Sequence, residues 1–309
     1  MSSHTQLSEF MLLGIPQTEG LKTLLSAIFS FTYLFTLLGN LLILTAIVPS
    51  STLHTPMYFF LGLLSIFDML FPSVTCPKML LYLSGQSKAI SYKGCALQLF
   101  FYHFLGSAEG CLYSVMAYDR FVAICHPLRY LLIMRPGPCV GLVMAAWTVG
   151  CLHATILTSF TFQLPYCGPN RVDYFFCDIP AVLPLACADS SLAQRVGSTN
   201  VSFLVLMFRF SVCVSYTRTG LPFENPLRRG QAETFLSPAV PTSLQSSVPM
   251  TCSHCLPAAH TQPLAWCHGA NINNMCLTHA ELVNLFLRNR EVKSSLKRVF
   301  HNVVLTALE

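Results

Sequence analysis

Charge is scarce in this chain: Asp, Glu, Lys and Arg make up 10% of its 309 residues, against 53% hydrophobic ones. A soluble protein this apolar would leave greasy surface facing water, so a membrane is the expected environment. The net charge of +5 is spread along the chain, without the basic stripe that nucleic acid requires. There is no Gly-rich phosphate loop, no nucleophile elbow and no second carboxylate near a plausible water channel, so no enzyme is read here. Met1 to Lys22 has no apolar core near its start and carries Glu9, Glu19 and Lys22. No cleavable signal peptide is expected, and the first long helix would serve as the targeting signal. Cysteine, by contrast, is plentiful, with fourteen in all. Those inside helices act as small apolar residues, and only those in outward loops would meet oxidising conditions.

Long uncharged runs are what the chain has instead. Leu24 to Val48 holds no charged residue and is long enough to cross a bilayer. Further spans are read at about 57–80, 94–118, 139–162 and 196–216. Polar residues stand inside them: Asn40 in the first, Asp68 in the second, Glu109 in the third, Trp147 and His153 in the fourth, Arg209 in the fifth. An amide or carboxylate at membrane depth needs a partner, because lipid supplies none. Trp147 reads as packing, His153 as a buried hydrogen-bonder, and Arg209 has to snorkel. Arg120, Arg129 and Arg135 cluster after the third span, whereas the opposite loops mix Lys88, Lys93, Asp173 and Asp178. That asymmetry places the arginines in the cytoplasm and the N-terminus outside.

One string closes the third span: Met116-Ala117-Tyr118-Asp119-Arg120, then Ile124-Cys125-His126-Pro127-Leu128. Adjacent opposite charges at the mouth of a membrane helix are costly unless they meet each other or water, which suits a switch. This string, with Leu53-His54-Thr55-Pro56-Met57-Tyr58, Pro77-Lys78-Met79-Leu80 and Ser215-Tyr216, closely resembles olfactory receptors, a branch of the rhodopsin-like G-protein-coupled receptors. The likeness covers about residues 7–216 and returns at 287–298.

The resemblance implies an all-α, seven-helix membrane bundle in the cell membrane, with an extracellular N-terminus over 1–23 and five readable helices over 24–216. It implies a small volatile odorant entering between helices three, five and six, lined by Tyr102, His103, Gly106, Ser107, Asn200 and Leu204. His103 or Ser107 would supply one directional hydrogen bond in a mostly apolar pocket. Ligand binding would favour the state in which Arg120 leaves Asp119 and, with Tyr216, meets a heterotrimeric G protein of the stimulatory or olfactory type. Asn40, Asp68 and Glu109 would form an ion network, the two carboxylates holding an allosteric sodium ion. No other cofactor is implied. Cys95, Cys167, Cys177 and Cys187 allow three pairings by themselves. The resemblance implies Cys95–Cys177 and Cys167–Cys187, making the intervening long polar loop a rigid lid. The family's usual N-terminal glycosylation sequon is absent, since Ser3-His4-Thr5 stands in its place, and Asn200-Val201-Ser202 falls inside a helix.

Helices six and seven are not recognisable. Residues 234–280 are uncharged but hold Pro238, Pro241, Pro249, Pro257 and Pro263 among many polar residues. Prolines that frequent deny the backbone its helical bonds, and lipid cannot replace them. The segment 217–286 therefore reads as irregular and family-divergent, ahead of a cytoplasmic tail over 287–309. Its Cys252-Ser253-His254-Cys255 resembles half a zinc site, but no second half has matching spacing, and chance Cys and His are the stronger reading. A reading-frame change accounts for the break. Codons for Pro238-Ala239-Val240-Pro241-Thr242, read one base earlier, can spell Thr-Cys-Ser-Ser-His, a string the family carries at the start of helix six. The alternative to a working receptor is thus a non-signalling relic whose helices six and seven are lost. Sequencing the gene tests this: the alternative frame should encode a family-like helix six after Tyr216, and its absence there removes the idea.

Overall fold

In a computed structural model of the chain, the uncharged runs become long helices. The structure describes residues 8–13, 19–49, 55–167 and 170–200, together with 202 and 206. Four helices dominate: α1 (Glu19–Ile47), α2 (Pro56–Leu83), α3 (Tyr92–Cys125) and, after the short α4 (Tyr130–Ile133), α5 (Pro136–Phe162). Each is longer than the span read from charge alone, because the helices continue into residues such as Glu19 and Lys22 that are polar but still helix-forming. Gly20–Ile47, Pro56–Leu83 and Pro136–Phe162 are long and apolar enough to cross a membrane. Phe31 (70% exposed), Leu38 and Leu152 stand outward from them, which stabilises a helix only where hydrocarbon surrounds it. Hydroxyls in these helices turn back on their own backbone: Thr32 donates to Ile28 O at 3.0 Å and Thr45 to Leu42 O at 2.9 Å.

By contacts the chain forms two units, one of Met1–Leu34, Leu70–Cys111 and Met144–Leu204, the other of Phe35–Met69, Leu112–Val143 and Val205–Glu309. The first unit holds a small sheet that sequence reading does not anticipate. Strand β1 (Glu9–Leu12) lies between β2 (Ala89–Ser91), antiparallel, and β3 (Arg171–Val172), parallel. Alternate residues Phe10 and Leu12 are fully buried, and the Phe10 ring packs on Tyr92 and Tyr166. Residues 9–12 are thereby fixed in the sheet.

The long loop after α5 departs from its reading as a polar lid. Tyr174, Phe175, Phe176, Cys177, Ile179, Val182 and Leu183 are all buried, and Ile179 and Leu183 share a core with Leu99, Leu157 and Ala193. Arg171 and Asp173 of this loop are left outside, and burial of the apolar residues drives the loop inward. Cys95 is bonded to Cys177 and Cys167 to Cys187, with Cα separations of 5.5 and 5.9 Å. A short helix, α6 (Ile179–Val182), follows directly.

α2 carries Pro72 and Pro77 in its interior, and side chains attend to the polar groups around them. Gln98 Nε2 of α3 donates to Val74 O at 3.0 Å, and Tyr33 of α1 shares a hydrogen bond with Ser73 at 2.9 Å. α5 meets α3 through Gly150, with Ala146 and Ala154 buried one turn to either side. A Cβ at Gly150 would lie 2.9 Å from Phe104 O and 3.1 Å from Ala108 Cβ.

In the second unit, Ile43, Ala46, Ile47 and Tyr58 form a core with Met57 and Leu61 against it. Pro127–Arg129 makes a single 3-10 turn leading into α4, whose Leu131 and Leu132 are exposed.

Gly150 generates a stability prediction. Gly150→Val should lower the unfolding free energy by about 1–3 kcal/mol through the overpacked contact with α3. Gly141→Ala, where nothing lies within 4 Å, should not. Thermal unfolding of the detergent-solubilised chain measures both, and equal midpoints would contradict the packing argument.

Candidate functional site

Cys177 is held twice, by its bond to Cys95 and by Gln98, whose Oε1 accepts from Cys177 N at 2.9 Å while its amide nitrogen holds Val74. These ties seat the next residue, Asp178, against α3. Asp178 caps α6 by accepting from Ile179 N at 2.8 Å, and its Oδ1 stands 3.7 Å from His103 Nε2. The two side chains are only 16% and 11% exposed. Burial pushes the Asp178 carboxyl up to about 6, although the Ile179 N–H bond pulls the other way.

His103 belongs to the α3 face that sequence reading singles out. Tyr102 packs between Phe71 and Phe176, with ring centroids 5.1 and 4.9 Å away. Gly106 lets Phe71 approach, since a Cβ there would sit 3.4 Å from its ring. Ser107 is buried, and its Oγ lies 2.5 Å from His153 Nδ1 of α5. The His103 and His153 rings are nearly perpendicular at 5.8 Å. Nε2 of each is buried without a hydrogen-bond partner among the described residues. Asn200 is half-buried in a helical stretch, 191–200, and Leu204 lies outside the described residues.

Sequence reading therefore brings together Tyr102, His103, Gly106 and Ser107. It reads His153 as a hydrogen-bonder, and the structure gives it Ser107. It misses Asp178 and Gln98. The available signal for Asp178 is its place immediately after a cysteine implied to bond near the start of the third helix.

Asp119 and Arg120, in the second unit, do not pair as the sequence suggests. Asp119 is 2% exposed and accepts from Tyr130 OH of α4 at 2.9 Å, while Arg120 Nη2 donates to Met57 Sδ of α2. Among the described residues, no ion pair joins the two neighbours. Successive side chains on a helix point about 100° apart, so i and i+1 do not face each other. Burial pushes the Tyr130 phenol up, and the Asp119 charge adds to this, so it stays a donor. Tyr216 lies outside the described residues, as do 217–286, the zinc-like Cys252 and Cys255, and the tail over 287–309.

Of the ion network, Asn40 and Asp68 fall in the second unit and Glu109 in the first. Asp68 is 1% exposed, and Asn40 donates to Thr36 O at 3.0 Å while its Oδ1 is buried without a hydrogen-bond partner among the described residues.

The Tyr130 contact is testable without any ligand. Tyr130→Phe removes the donor to a buried carboxylate and should cost about 1–3 kcal/mol of unfolding free energy. Tyr118→Phe, at an exposed position, serves as the control. Identical unfolding midpoints in detergent would show that Asp119 does not depend on Tyr130.

Comparison with known proteins places this geometry in a family. Residues 39–270 match the family model of the 7 transmembrane receptor (rhodopsin family). The chain is 62% identical over 306 residues to olfactory receptor 10N1 of Mus musculus, covering 98% of both. It is 51% identical over 304 residues to olfactory receptor 10D3 of Homo sapiens, covering 96% of this chain and 95% of that one. A match to olfactory receptor 10G4 of Homo sapiens, 51% identical, spans 217 residues and 70% of each chain. Its membrane-length helices and its end-to-end similarity agree: the chain belongs to the olfactory receptors of the rhodopsin family, multi-pass G-protein-coupled membrane receptors rather than enzymes.

Proposed function

We propose that the chain senses a small volatile odorant on the α3 face that carries Tyr102, His103, Gly106 and Ser107, with Asn200 and Leu204 contributing from the fifth helix. The observation that carries this reading is the pair of buried ring nitrogens, His103 Nε2 and His153 Nε2, without hydrogen-bond partners among the described residues. A buried polar atom left unsatisfied costs about 1–3 kcal/mol, and a ligand that satisfies it recovers that cost on binding. Phe71, Tyr102 and Phe176 supply the apolar contact that a volatile molecule needs.

In this reading the N-terminus and the loop of Cys177 face outside, and the Arg129 and Arg135 end faces the cytoplasm. Arg120 is the group handed to a heterotrimeric G protein of the stimulatory or olfactory type, with Tyr216 beside it. Its partner Met57 carries no charge, so little holds Arg120 back. The ligand shifts the equilibrium only by binding the active state more tightly. Asn40, Asp68 and Glu109 keep the role that the family resemblance implies for them, an ion network with an allosteric sodium ion that would favour the inactive state. Residues 217–286 are assigned as the divergent segment in place of helices six and seven.

A second reading is the non-signalling relic, for which the five prolines of residues 234–280 speak. A cyclic-AMP reporter separates the two. Cells displaying the chain with the olfactory α subunit should respond to members of an odorant panel, and Arg120→Ala should abolish the response. Ser107→Ala should raise the half-maximal concentration roughly two- to tenfold, the worth of one hydrogen bond. Surface display without response to any odorant would decide for the relic.

A further inference from the structure

We infer that the ligand of this site is a protonated aliphatic amine, held by Asp178, His103 and His153. The inference rests on the proposed odorant site and adds the chemical class that the site selects. Asp178 is a largely buried carboxylate with no Lys or Arg paired to it among the described residues. Its Oδ1 takes the Ile179 N–H, and no hydrogen bond or ion pair to Oδ2 is made within the described residues. A buried anion of this kind is stable only when a cation or a proton balances it.

The groups that face Asp178 are known from each element packed on it. Tyr102 and His103 come from α3, and His153 from α5 stands behind His103. None is a permanent cation. His103 could supply one by protonation, yet at 3.7 Å it makes no hydrogen bond to the carboxylate. When His153 Nδ1–H donates to Ser107 Oγ, its Nε2 is left as an acceptor, and that nitrogen is buried without a partner among the described residues. His103 Nε2 is in the same condition.

With His103 protonated on Nδ1, three atoms can accept, Asp178 Oδ2, His103 Nε2 and His153 Nε2, on side chains linked by the 3.7 Å approach of Asp178 to His103 and the 5.8 Å separation of the two rings. An alkylammonium brings one positive charge and three N–H donors, which matches that set in both charge and number. An alcohol has a single donor and leaves the carboxylate unbalanced. A carboxylic acid in its ionised form is repelled. Aliphatic amines are mostly protonated in neutral water, as the lysine side chain is, and the hydrocarbon tail of such a ligand fits the rings of Tyr102, Phe71 and Phe176.

The test uses three probes with one skeleton, hexylamine, 1-hexanol and hexanoate, on the full chain in detergent. Binding is read as a rise in the unfolding temperature with ligand concentration, and signalling is read in parallel with the cyclic-AMP reporter. Hexylamine should stabilise the chain, while hexanol and hexanoate at equal concentration should not. Asp178→Asn keeps an oxygen for Ile179 N but removes the charge, and should weaken hexylamine roughly 10- to 100-fold. His103→Phe, which keeps a ring in place, should weaken it as well and provides a second measure should Asp178→Asn not fold. Equal stabilisation by hexanol, or unchanged hexylamine affinity in the variant that folds, overturns the amine inference and leaves the odorant site standing. No effect of hexylamine alongside Arg120-dependent responses to other odorants has the same meaning. Absence of both stabilisation and any response overturns the two together.

Discussion

Hydrocarbon cannot form hydrogen bonds, so each polar atom carried by α1, α2, α3 and α5 has to find its partner inside the protein. Most of the side-chain contacts described above answer that one demand. Threonine hydroxyls fold back onto carbonyls a turn earlier, Tyr33 meets Ser73, and Ser107 meets His153. Gln98 satisfies both ends of its amide, one on α2 and one on the loop at Cys177. Against so complete a pattern, the ring nitrogens of His103 and His153 stand out. Asn40 Oδ1, Asp68 Oδ1 and Thr158 Oγ1 also lack a hydrogen bond among the described residues, but only the histidine pair includes a ring within 3.7 Å of Asp178. Proximity to Asp178 is what gives the proposed site its chemical preference.

How far this was legible from the residues depends on the length scale of each feature. Runs such as Leu24–Val48 announce their helices because twenty or more uncharged residues have few other uses. The α3 face at Tyr102, His103, Gly106 and Ser107 follows from helical spacing once the third span is accepted. The strand Glu9–Leu12 is too short for its alternation to stand above chance, and its partners lie in loops far along the chain. The loop near Cys177 was read by its polar residues, whereas its position is decided by Phe175, Phe176 and Ile179. Asp119 and Arg120 invited pairing because they are neighbours in sequence, and helical geometry separates neighbours.

At the end of α3, Asp119 and Arg120 are each held by an element other than their neighbour. Tyr130 comes from a four-residue helix in a loop, an element with little stability of its own. Arg120 leans on a thioether, a weak acceptor. Each contact joins one charged side chain to an uncharged partner, a phenol for Asp119 and a thioether for Arg120.

The pairing of Met11 with Arg171 carries a consequence for biogenesis. The first strand to leave the ribosome has to wait until the second of its two neighbours has been translated, tens of seconds later at roughly 5 residues per second. During that interval Phe10 and Leu12 have no cover, and a chaperone or the translocation machinery must keep them from straying. The strand Glu9–Leu12 can therefore complete its sheet only once Val172 has been made.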